Sequence, residues 1–120
     1  MSEEYIPENL VVLAKATALE NFCDNAELLD EMLQYFADGI PDKLKTLKTA
    51  IAAKDYAVWI STAHLVKGEA ATLCLERINA VALKLEQAGK RQEPAEAEAM
   101  LAVMEKEMQA LVDILPKKQG

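Results

Sequence analysis

Apolar positions recur at spacings of three and four along most of the chain, the period of helices that bury one face. The first such segment, about Glu8 to Ala18, follows Pro7 and turns Leu10, Leu13, Ala14 and Thr17 inward. A polar connection from Asn21 to Asn25 then offers Asp24 or Asn25 as a cap for the next helix. The following series is Leu28/Leu29, Met32, Phe36, Ile40, Leu44, Leu47 and Ile51, and it crosses Gly39-Ile40-Pro41 without losing phase. An internal proline costs roughly 3 kcal/mol, so two short helices are allowed. The unbroken phase favours one long helix kinked at Pro41.

Ala53-Lys54-Asp55 closes that element, and Asp55 suits the N-cap of a helix from about Tyr56 to Leu73. The apolar face of this helix is Tyr56, Trp59, Ala63, Val66, Ala70 and Leu73. A helix over about Glu76 to Ala88 turns Ile78, Val81, Ala82 and Leu85 inward and stops at Gly89. After a charged loop, Lys90 to Glu93, Pro94 opens a last helix that reaches about Leu115. Its stripe of Met100/Leu101, Met104, Met108, Leu111/Val112 and Leu115 reads as adaptable core. Residues 117–120 are expected to fray. Amphipathic helices with short connections stack side by side, so the predicted fold is all-α. It is an antiparallel up-and-down four-helix bundle with an additional short N-terminal helix, in a single domain over residues 1–120.

Charge and composition narrow the class. The formal net charge of −7 disfavours binding to nucleic acid or to an anionic membrane surface. No segment approaches the ~20 uninterrupted apolar residues of a membrane span, and the acidic start Met1-Ser2-Glu3-Glu4 is unlike a signal peptide. A soluble, cytoplasmic protein is expected. Cys23 and Cys74 lack metal-ligand spacing and are expected to be free thiols acting as small buried hydrophobes.

The one histidine, His64, lies roughly 140° from the centre of its helix's apolar stripe, so it points outward. At about 100° per residue, positions 64, 67, 68 and 71 share a face. That face holds a nucleophile, a cation (Lys67) and two residues, Gly68 and Ala71, too small to obstruct a bulky partner. The alternative is an ordinary solvated histidine. Several chemistries are disfavoured. Ser61 and His64 on one straight helix lack an oxyanion hole, and one histidine is a poor basis for a zinc or iron centre. No phosphate-cradling loop is present, so the chain is not expected to bind or split ATP. The chemistry left is attack by His64 on an activated phosphorus supplied by another protein.

The run Ala63-His64-Leu65-Val66-Lys67-Gly68-Glu69-Ala70, followed by Leu73 and then Leu85-Glu86-Gln87-Ala88-Gly89, closely resembles the histidine phosphotransfer (HPt) domain of multistep phosphorelays. The upstream stretches Ala26 to Leu33 and Lys54 to Tyr56 resemble the element preceding the phosphorylated helix, so the likeness covers roughly residues 20 to 90. It implies that His64 is the phosphorylated residue, that Lys67 screens the phosphoryl charge and that Gly68 leaves room for a receiver domain. Glu86 matches the position of a Gln or Glu that orients the imidazole, with Gln87 a weaker substitute.

Ile60, Leu65 and Ala71, with residues of the first two helices, are the expected partner-binding surface. The implied partners are response-regulator receiver domains or a hybrid sensor histidine kinase, which bring their own Mg²⁺. The chain itself would be a monomeric carrier without cofactor, metal or independent turnover. Two positions depart from the family pattern: Cys74 replaces a common glycine, and Glu69 a small or neutral residue. The competing reading is a helical interaction module that is never phosphorylated.

Overall fold

A computed structural model describes residues 9–116. Six helices follow in order: α1 (Lys15–Asn21), α2 (Ala26–Asp38), α3 (Ile40–Ala53), α4 (Tyr56–Thr72), α5 (Glu76–Lys90) and α6 (Pro94–Ile114). α3 packs on α4 and α6, α4 on α5, and α5 on α6. Short reversals join consecutive members, so these four helices form the expected antiparallel bundle, with α1 as the short additional helix. The Pro7 and residue 117–120 expectations lie outside the described residues.

The arm expected as one kinked helix is divided at a single residue. Gly39 keeps helical dihedrals (φ −86°, ψ −3°) and serves as C-cap of α2 and N-cap of α3. Its N–H donates to Tyr35 and Phe36 carbonyls, and its carbonyl accepts from Lys43 N–H. Helical geometry therefore continues through the break, and the ladder is interrupted where Pro41 has no N–H to donate. Along α2 the buried positions are Leu29, Leu33 and Phe36, whereas Leu28 and Met32, expected inside, are exposed.

The first helix is displaced from the expected span. Residues 9–14 are not helical, and α1 starts only at Lys15 and buries Ala18, with Thr17 on the surface. Leu10, Val12 and Leu13 still pack against the core, because this segment is a strap fastened across the end of the bundle. Val11 N–H donates to Glu76 Oε1 at 3.0 Å, Arg77 N–H to the Val11 carbonyl, and Ala14 N–H to the Cys74 carbonyl. Tertiary hydrogen bonds have replaced the helical ones.

α3, α4 and α5 end alike. Lys54, Cys74 and Gln92 are left-handed, with φ of 58°, 58° and 56°. The next N–H in each case reaches back five residues: Asp55 to the Ala50 carbonyl, Leu75 to Ala70 and Glu93 to Ala88. The stop expected at Gly89 thus falls three residues later, at Gln92, and Gly89 is a buried residue inside α5. Neither cysteine is a buried hydrophobe: both thiols are free, Cys23 is exposed and Cys74 half-buried. Asn25 and Asp55 cap α2 and α4, accepting from Leu28 and Val58 N–H respectively.

Candidate functional site

α4 presents Trp59, Ala63, Val66 and Ala70 to the core, and this fixes which way His64 points. Its imidazole side chain is 66 % exposed. The register of α4 against α5 is set by packed and polar contacts. Trp59 is fully buried, its indole N–H donating to the Leu85 carbonyl at 2.8 Å, and Asn79 Nδ2 donates to the Lys67 carbonyl at 3.0 Å. Gly89 lets the helices meet closely, since a Cβ there would lie 2.7 Å from Ile60 Cγ1 and 3.1 Å from Trp59 Nε1.

This register brings Glu86 under His64. The Glu86 side chain is only 6 % exposed, and three nitrogens surround its carboxylate. Lys67 Nζ stands 2.7 Å from Oε1, His64 Nδ1 3.1 Å from Oε2, and Lys90 Nζ 3.4 Å from Oε2. Lys67 above all holds the Glu86 carboxyl down at about 2, against the opposing effect of burial, with His64 and Lys90 adding to it. An ionised carboxylate only accepts hydrogen bonds, so the proton on a neutral His64 ring sits on Nδ1. The Nε2 lone pair is then the free nucleophile of the ring.

The predicted residues separate into groups. His64, Lys67 and Glu86 meet around one carboxylate. Gly68 faces open space, with nothing within 4 Å of a Cβ built there. Leu65 is 53 % exposed on one flank of the site, and Ala71 is exposed one turn beyond Lys67. Ile60 is half-buried and turned toward Gly89. Gln87 is exposed. Lys90 is the residue sequence reasoning overlooked. Its signal was available, because Glu86 and Lys90 are four apart on one helix and so share a face. Glu69, one of the two departures from the family pattern, lies away from the ring and faces Lys43 at 3.5 Å.

Among the described residues no cluster of His, Cys, Asp and Glu is suited to a metal ion, and no helix is long and apolar enough to cross a membrane. The sequence matches the family model of the Hpt domain over residues 31–114. The chain belongs to the Hpt domain family. Members of this family take part in histidine phosphotransfer in phosphorelays, typically as phosphoryl carriers rather than enzymes, and partner with receiver domains and hybrid kinases.

Two crystal structures share the fold. The histidine-containing phosphotransfer protein B of Pseudomonas aeruginosa is 21% identical with a TM-score of 0.79, covering 87% of this chain and 90% of that one. The HPT domain of a hybrid sensor histidine kinase from Shewanella is 24% identical with a TM-score of 0.72, covering 91% and 97%. No curated protein sequence matches the chain significantly.

Proposed function

We propose that this Hpt domain accepts a phosphoryl group on His64 Nε2 from the phospho-aspartate of a receiver domain and passes it to another receiver. The observation that supports this reading most directly is the Glu86 carboxylate shared between His64 Nδ1 and Lys67 Nζ. In the transfer, an Nε2–P bond forms as the acyl O–P bond breaks, and the aspartate leaves as a carboxylate. The Nδ1 proton stays against Glu86, which stabilises the positive charge that the ring acquires. The incoming phosphoryl oxygens compete with Glu86 for Lys67, so the cation is held in readiness beside the nucleophile. Gly68 leaves the approach open for the receiver, whose own Mg²⁺ and lysine stabilise the transferring charge.

The chain thus supplies position and a nucleophile, and the partner supplies the activated phosphorus. Incubation with phosphorylated receiver domains of the same organism is expected to place an acid-labile label on the wild type and none on His64→Gln. Label retained by that variant would reject His64. A wild type that stays unlabelled while binding a partner equally well before and after His64→Ala would instead support the non-phosphorylated module.

A further inference from the structure

The step from Gly68 to Glu69 in α4 divides two surfaces. Gly68 belongs to the His64 face, whereas Glu69 turns about 140° from His64, toward α2. There it borders a groove of about 220 Å³ whose walls include Phe22, Met32, Tyr35, Phe36 and Thr72. At four residues' spacing Thr72, on the groove wall, lies about 40° round α4 from Gly68, so the groove flanks the proposed docking face. The Thr72 hydroxyl donates to the Gly68 carbonyl at 3.2 Å, and the exposed Leu65 stands one turn before Glu69.

The chemistry of the groove is specific. Its walls are apolar apart from the Tyr35 and Thr72 hydroxyls and one carboxylate, that of Glu69. Glu69 meets Lys43 Nζ at 3.5 Å, an ion-pair contact longer than a charged hydrogen bond, and Lys43 also lies over the Phe36 ring at 5.7 Å. A carboxylate has about four acceptor sites, so Glu69 retains capacity for a second donor. Tyr35, 72 % exposed, adds an accessible aromatic ring. Apolar walls, an open ring and an underused carboxylate together suit a side chain with a long apolar stem and a cationic head.

We propose that the α2–α4 groove receives an arginine or lysine side chain of the docking receiver, its stem along Met32, Tyr35 and Phe36 and its head on Glu69. This assignment rests on the phosphotransfer reading and concerns how the partner is selected.

The test follows transfer from the receiver that labels the wild-type chain fastest, as a function of receiver concentration. Glu69→Gln, which keeps the shape and removes the charge, is expected to raise KM roughly fivefold with kcat unchanged. Tyr35→Ala, at a surface position, is expected to raise KM as well. Lys43→Met frees the Glu69 carboxylate and should leave KM unchanged or lower it. If Lys43→Met raises KM as much as Glu69→Gln does, the pair is a structural brace and the proposal fails. It fails equally if KM for Glu69→Gln stays within about twofold of wild type, whatever Tyr35→Ala does. A wild type labelled by no receiver would overturn the phosphotransfer reading and this proposal together, whereas labelled wild type with an indifferent Glu69→Gln overturns the groove alone.

Discussion

Around His64, one buried carboxylate does more than the exposed groups that give the site its appearance. Glu86 is the only member of the cluster that touches the ring, Lys67 and Lys90 at once. With its folded value at about 2, below the ordinary 4.5, Glu86 adds stability that is fully present above pH 4.5 and is lost as pH falls toward 2. The difference in unfolding free energy between wild type and Glu86→Gln should therefore shrink as pH falls from 4.5 toward 2. Denaturant titrations across that range would measure it, and a difference that does not change with pH would contradict the ionised, paired carboxylate. Sequence reasoning could place His64 and Lys67, because both lie on one helix whose inward face is marked by Trp59, Ala63, Val66 and Ala70. It could not decide between Glu86 as ring partner and Glu86 as surface acid, since that depends on the register of two helices.

Within the helices, two glycines of similar appearance have opposite meanings. Gly68 and Gly89 both sit inside helices, where replacing glycine by alanine normally gains roughly 0.8–1.0 kcal/mol. At Gly68 a Cβ meets nothing within 4 Å, so Gly68→Ala should stabilise the fold by about that amount while slowing phosphotransfer, if the added methyl stands on the proposed approach face. At Gly89 the Cβ would meet Ile60 at 2.7 Å and the Trp59 ring at 3.1–3.2 Å, so Gly89→Ala should destabilise by about 1–3 kcal/mol. Chemical denaturation of both variants checks the contrast, and a stabilised Gly89→Ala would refute the close-packing role. The misplaced helix stop has the same origin. Near a helix end, glycine reads as a C-terminal signal, yet α5 ends on left-handed Gln92. Cys74, in the slot where the family often has glycine, is left-handed too, so the turn tolerates the substitution at a conformational cost.

At the scale of the whole molecule, a clasp joins the strap, α5 and α6. Arg77 Nε and Nη2 donate to the two Glu107 oxygens at 2.8 and 3.1 Å, and Nη1 donates to the Leu10 carbonyl at 3.3 Å. Glu107 is 8 % exposed, so losing its cation leaves a charge stranded among helices. Arg77→Met should cost about 3–5 kcal/mol, and the double variant Arg77→Met/Glu107→Leu should recover much of it. Equal stability of the single and double variants in urea would show that the pair does not act as a unit.

Periodicity determined the bundle, the outward histidine and the apolar faces of α4, α5 and α6, and local capping chemistry picked out Asp55 for α4 while leaving Asp24 and Asn25 as alternatives for α2. Those features follow from 3.6-residue repetition and local hydrogen bonding, which neighbouring residues in the chain decide between themselves. Tertiary structure alone decided that residues 9–14 form a strap, that Gly89 is a contact point, that Glu86 rather than Gln87 meets the ring, and that Glu69 borders a groove. Each of these depends on partners far away in sequence. Burial and distant hydrogen bonds outweigh the small local preferences that a sequence pattern can report.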